Sequence, residues 1–239
     1  MFLYYVRHGD PIYDPDSLTE FGHKQAAALA KRFAACGLDE IYCSTSMRAQ
    51  MTAQPTCELL KKEKILLDWA HEERAWGYFS VPKEGGGVTW AFLSAEHVKR
   101  MNEASVRNMG MEWYKHPYFT ENPSFEKGTN TVNKHADELL LSLGFAHDRE
   151  KGCYKVLRKN SDRVAIFAHA GFGKIFLSSL LDIPYPITAT RLDFGHTGVT
   201  VIHFDENAEY VYPCALQWSN DSHLYKENLS TKYNNILEI

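Results

Sequence analysis

Phe2-Leu3-Tyr4-Tyr5-Val6-Arg7-His8-Gly9-Asp10 is the stretch on which the fold turns: an apolar, β-favouring run halts at an arginine, a histidine and a glycine. Unbroken apolarity, without alternation, marks a strand buried in a parallel sheet. Ligands of open α/β sheets lie outside the carboxyl ends of such strands, which places Arg7 and His8 where chemistry is expected. Gly9 lets the backbone turn close to a ligand. Taken alone, Arg7-His8-Gly9 reads as no more than a charged strand end before a turn, so the rest of the chain must decide.

Outward from that strand, Pro11 to Ser17 is turn-rich, and Leu18-Thr19-Glu20-Phe21-Gly22 opens a helix with Thr19 as its N-cap. Ala26, Leu29, Ala30 and Phe33 give that helix one apolar face, and Gly37 ends it. Asp39 to Cys43 is a second strand. Ser44-Thr45-Ser46-Met47-Arg48 leads into a second helix, expected to bury Met47, Met51, Leu59 and Leu60 and to kink or restart at Pro55. Ile65 to Trp69 reads as a third strand. This βαβαβ order predicts an α/β three-layer sandwich, a mostly parallel central sheet flanked by helices.

Residues 78–160 break the rhythm. Lys83-Glu84-Gly85-Gly86-Gly87 reads as a flexible tip, Ala91 to Met109 as helix, and Trp113 to Phe125 as an aromatic and proline-rich segment. Thr131 to Leu143 is an amphipathic helix ended by Gly144. So many aromatics argue against disorder, and the region reads as a cap or lid inserted into a single domain spanning 1–239. The alternation resumes at Arg163 to Ala168, a buried strand ending at His169, and Ala170-Gly171-Phe172-Gly173 opens a helix to Leu181. Thr197 to Phe204 and Tyr210 to Leu216 read as final strands, and the polar tail after Ser219 as a fraying end.

The net charge of −4 gives no basic field for nucleic acid, and no apolar run reaches the roughly 20 residues that span a bilayer. The N-terminus has no basic flank with a signal-type apolar segment. Five scattered cysteines, odd in number and without Cys-x-x-Cys, read as reduced thiols of a cytoplasmic protein. None of the eleven histidines has the His-Glu-x-x-His spacing, so neither a metal nor another cofactor is expected. Gly171-Phe172-Gly173-Lys174 lacks the Ser or Thr and the spacing of a P-loop.

Two strands thus end alike, at Arg7-His8-Gly9 and His169-Ala170-Gly171, and a third leads to Arg48 on the first turn of a helix. Guanidiniums bind phosphate oxygens bidentately, a helix N-terminus adds N–H donors, and a neutral imidazole can attack phosphorus. With Leu18-Thr19-Glu20-Phe21-Gly22, Ser44 to Gln50 and Glu73-Arg74-Ala75-Trp76-Gly77, these motifs resemble the histidine phosphatase superfamily, the phosphoglycerate mutase-like clan with its Arg-His-Gly motif. The resemblance covers about the first 77 residues and 163–204.

That resemblance implies that His8 attacks phosphorus and becomes phosphohistidine, with His169 beside it. Arg7, Arg48, His169 and Ala170 form the phosphate-binding set, and Glu73 is the proton donor, with Glu72 the competing carboxylate. His196 fits the pocket mouth as well as the core. Trp76, Tyr78, Trp90 and Trp113 read as core or lid packing. A phosphomonoesterase acting on a small phosphorylated metabolite is the leading reading, because Tyr78-Phe79-Ser80-Val81-Pro82 departs from the phosphoglycerate mutases. The alternatives are a mutase-type phosphoryl transfer and a catalytically weak phospho-ligand binder. A homodimer is left open, and the substrate is not named.

Overall fold

The structure, a computed structural model, describes residues 1–83 and 85–231. Its central sheet has six strands: β1 (Phe2–Arg7), β2 (Glu40–Ser44), β3 (Ile65–Leu67), β4 (Arg163–Ala168), β5 (Val199–His203) and β6 (Cys214–Asn220). They lie in the order β6-β5-β1-β4-β2-β3. The pairs β1/β4, β4/β2 and β2/β3 are parallel, and β5 and β6 add an antiparallel edge. The expected mostly parallel sheet is therefore present, with β1 at its centre.

Helices α1 (Glu20–Cys36), α2 (Met47–Leu60), α3 (Glu72–Phe79), α4 (Ser124–Ser142), α5 (Ala170–Leu181) and α6 (Tyr185–Arg191) clothe it. Side chains of β1 alternate between two cores. Val6 joins Leu29, Phe33, Ala49 and Ala53 beneath α1 and α2. Leu3 and Tyr5 join Phe172 and Phe176 of α5 on the opposite face. That second core continues through Phe79 of α3 into the inserted segment, where Trp113, Phe119 and Phe125 pack edge-to-face.

Several local expectations differ. Thr19 caps α1 as predicted, accepting from Gly22 N at 3.0 Å. However, α2 runs unbroken through Pro55 and buries Arg48, Ala49, Thr52, Ala53, Thr56 and Cys57, leaving Met47 and Leu59 exposed. Small residues win that face because α1 packs closely across it. Ala91 to Met109 is three short helical pieces, Ala91–Leu93, Ala95–Met101 and Ala104–Arg107, since Ser94 accepts from His97 N and starts a new turn.

Tyr210 to Leu216 also splits. Pro213, which has no N–H for a ladder, separates Tyr210–Val211 from β6. Tyr210–Val211 instead joins a small sheet with Phe145–Asp148 and Cys153–Val156. The chain after Ser219 is ordered through a helix at Ser222–Lys226, which buries Leu224 and His223. Glu84 of the expected tip, and the tail from 232 onward, lie outside the described residues.

Behind the small sheet lies a polar knot. His147 Nδ1 meets Asp137 of α4 at 2.9 Å and Nε2 meets Asp182, the C-cap of α5, at 2.8 Å. Arg149 binds Asp137 and donates to Ser179 Oγ, and Tyr154 stacks on the imidazole at 4.0 Å.

Candidate active site

The carboxyl ends of β1, β2 and β4 open onto a cavity of about 860 Å³. Because β1 stops at Arg7, the next residue turns into that space. Gly9 makes the turn possible: a Cβ there would lie 2.8 Å from the Gly22 carbonyl oxygen, and one on Gly22 would lie 2.3 Å from that of Asp10. The first loop and the start of α1 cross with no room for side chains.

His8 is buried, and its Nδ1 lies 2.7 Å from the Gly9 carbonyl oxygen. A carbonyl only accepts, so Nδ1 carries the proton and Nε2 presents its lone pair. Burial first, then the Arg7 guanidinium and the neighbouring His169, hold the imidazole well below its ordinary pKa. His8 is a neutral imidazole at physiological pH. Gly9 N donates to Thr52 Oγ1 at 2.9 Å, and Thr52 donates to the Arg48 carbonyl at 2.7 Å, tying this turn to α2.

Arg7 is fixed by a 2.6 Å bond from Nη1 to the Phe194 carbonyl. Arg48 projects from the first turn of α2 and pairs with Asp16 Oδ1 at 2.8 Å, its guanidinium 5.4 Å from the Tyr13 ring centre. Asp16 Oδ2 also accepts from Met47 N at 2.7 Å, so it caps α2 where Ser46 makes no side-chain cap bond. His169 Nε2 meets Ser44 Oγ at 2.8 Å and Ser46 Oγ at 3.2 Å. Tyr5 grips the backbone of His169, donating to its carbonyl at 2.5 Å and accepting from its N–H at 3.2 Å. Burial, then Arg48, His71 and Arg7, push His169 well below its usual pKa as well.

The two histidine rings lie 5.2 Å apart. Arg7 Nε, Arg48 Nε and His169 Nδ1 are buried with no hydrogen-bond partner among the described residues. Unpaired buried polar atoms are costly, and these three belong to residues that line or adjoin the cavity, where a multiply charged oxyanion would offer them acceptors. Among the described residues no group of three His, Cys, Asp or Glu side chains is arranged to hold a metal.

The structure thus brings Arg7, His8, Arg48 and Ala170 to one cavity, with His169 against His8. The two glutamates part company. Both line the cavity, but Glu73 is exposed, whereas half-buried Glu72 turns its carboxylate onto the start of α5. Its oxygens accept from Gly171 N and Phe172 N, each at 3.2 Å. Burial raises the Glu72 pKa despite these bonds and despite Arg48 and Arg7. His196 sits 5.8 Å from His8, with Nδ1 3.6 Å from Asp10.

Trp113 is core and Tyr78 packs on Gly128 of α4, but Trp76 and Trp90 line the cavity. Lys174 also lines it, buried, paired with Asp193 at 3.4 Å and donating to the Leu192 carbonyl. Sequence reasoning passed over Asp16 and Tyr13, and weighed Lys174 only within a rejected P-loop pattern. The spacing of Lys174, one turn beyond Ala170 on α5, was its only signal.

Residues 3–84 match the family model of the histidine phosphatase superfamily (branch 1). Over that N-terminal third the chain is similar to this superfamily. Solved structures agree with its fold. Entamoeba histolytica phosphoserine phosphatase, as a mutant bound to phosphoserine, is 19% identical with a TM-score of 0.58, covering 93% of this chain and 98% of its own. Mycobacterial glucosyl-3-phosphoglycerate phosphatase with VO3 is 16% identical, TM-score 0.57, over 91% and 98%. The alpha-ribazole phosphatase of Shigella flexneri is 15% identical, TM-score 0.58, over 92% and 97%. No curated protein sequence matches significantly. Among the described residues, no helix is long and apolar enough to cross a membrane.

Proposed function

We propose that the protein is a phosphomonoesterase acting through phosphohistidine at His8. The observation that carries this is the His8 Nδ1–H bond to the Gly9 carbonyl, which leaves Nε2 unprotonated beside two guanidiniums. In the first step Nε2 attacks phosphorus, the ester P–O bond breaks and the leaving oxygen takes a proton. Arg7, Arg48, His169 and the N-terminal backbone of α5 at Ala170 bind the charge that develops on the phosphoryl oxygens.

Glu72 is the proton donor in this reading, in place of the expected Glu73. Its raised pKa keeps a protonated fraction available, and the bound phosphate would raise it further. As a carboxylate it then takes a proton from water, whose oxygen attacks phosphorus and breaks the P–N bond, releasing phosphate and restoring His8. The inserted segment at about 78–160, which supplies Trp90, Phe92 and Val98 to the cavity, would select the leaving group. Hydrolysis in the cytoplasm, rather than isomerisation, is the activity we assign.

Brief mixing with a phosphate monoester should leave a phosphoryl group on His8, labile in acid and stable in alkali, and absent from His8→Ala. Phosphate release should outpace 3-phosphoglycerate isomerisation. A label that survives in His8→Ala, or that maps to a serine or cysteine, overturns the mechanism.

A further inference from the structure

Resting on the phosphomonoesterase reading, we propose that the substrate is a phosphate monoester whose alcohol bears a flat aromatic ring, held against a wall of Trp76, Trp90 and Phe92. A cavity of about 860 Å³ falls in the range that encloses ligands of drug-like size. A three-carbon leaving group would leave most of it to water. Something larger than the phosphoryl group is accommodated, and the chemistry of the walls says what.

The wall begins at the reacting centre. Trp76 stands one turn beyond Glu72 on α3, so both side chains share a helix face. A leaving oxygen that takes its proton from Glu72 therefore carries its next carbons toward Trp76. Trp90 lies directly on the start of α5, where a Cβ added at Gly171 would come within 2.6 Å of the indole and 2.8 Å of Glu72 Oε1. Trp90 meets Trp76 edge-on at 5.0 Å and stacks on Phe92 at 5.2 Å. All three rings are half-buried and line the cavity. Packing needs alone would have closed them into the core, as happens to Trp113.

Charge excludes a second phosphate in this half of the cavity. The Lys174 ammonium is already matched by Asp193 and the Leu192 carbonyl, and it sits 5.0 Å from the Phe92 ring centre. At the exposed rim Arg191 and Glu73 oppose each other in sign. The leaving group that fits is apolar and flat over most of its area.

Phenethyl phosphate and 2-cyclohexylethyl phosphate test this, because the two alcohols have similar basicity and size and differ in the ring. Ring-on-ring contacts favour the aromatic partner beyond burial alone, so kcat/KM should be about tenfold higher for phenethyl phosphate. Trp76→Leu combined with Phe92→Leu should bring that ratio toward one. Tryptophan fluorescence titration of His8→Ala should give a Kd about tenfold lower for the aromatic ester. Equal kcat/KM for the two esters in the wild type, or a ratio that persists in the double variant, overturns the proposal. Should neither ester be hydrolysed nor His8 labelled, the phosphatase reading falls instead, and equal Kd values in the titration then overturn the aromatic wall separately.

Discussion

Glu72 and Glu73 are neighbours in sequence and about 100° apart around α3. That angle separates a carboxylate bonded to Gly171 N and Phe172 N from one facing solvent. Spacing to Gly77 pointed to Glu73, and no linear pattern reports where a helix begins or how it is rotated. Arg7, His8, Arg48 and His169 were legible because each closes a strand or opens a helix, positions whose place in an α/β sheet is fixed by topology. Glu72→Gln should slow phosphorylation of His8 by about 10²–10⁴-fold with an alkyl phosphate. With p-nitrophenyl phosphate, whose leaving group departs unprotonated, burst kinetics should show a much smaller loss. The wild-type rate with the alkyl ester should fall as pH rises through the raised Glu72 pKa, and this limb should vanish in Glu72→Gln. If Glu73→Gln shows the leaving-group-selective loss instead, the roles are reversed.

Elements were legible where periodicity was strong and obscure where packing overrode it. Helix α4 begins at Ser124, before the amphipathic stretch, through Gly128, Thr129 and Asn130, residues of poor helical propensity. Gly128 is there for contact: a Cβ would lie 2.4 Å from Tyr78 Cβ and 2.6 Å from Phe79 Cε2, so α3 and α4 meet backbone to ring. The opposite end of α4 is held by His147, whose two ring nitrogens both face carboxylates, Asp137 and Asp182. Only the imidazolium donates from both nitrogens. Burial lowers its pKa, but the bonds to Asp137 and Asp182 outweigh burial and the folded value is raised. The stabilisation is therefore complete below the unfolded pKa of about 6.5 and is lost as pH rises through the folded value. At low pH it fades again, because Asp137, despite its burial, is held below its usual pKa by His147 and Arg149 and must finally protonate. His147→Gln should cost about 1.5–3 kcal/mol in urea unfolding near pH 6. A cost that fails to shrink by about pH 9 would show that the network acts through packing alone.

Across the whole molecule one apolar cluster runs from the sheet through α5 and α3 to Trp113 and Phe125 of the inserted segment. A ligand in the cavity at the sheet's edge should therefore stabilise both regions together. Inorganic phosphate at a hundredfold its Kd should add about 2.7 kcal/mol to the unfolding free energy, within a single transition. Arg48→Ala should lose most of that gain. Two separate transitions, only one of them shifted by phosphate, would mean that the segment and the sheet unfold independently.

The position of β1 also bears on how the chain is made. Its two neighbours, β4 and β5, pair Phe2 with Arg163 and with His203, both in the last third of the chain. At roughly 5–20 residues per second, the ribosome leaves this apolar strand without a partner for about 8–30 s. His8 is made before both of the strands that enclose it. Until β4 and then β5 emerge, an edge carrying Leu3, Tyr5 and Val6 remains open, and chains still in synthesis are most exposed to association at that edge.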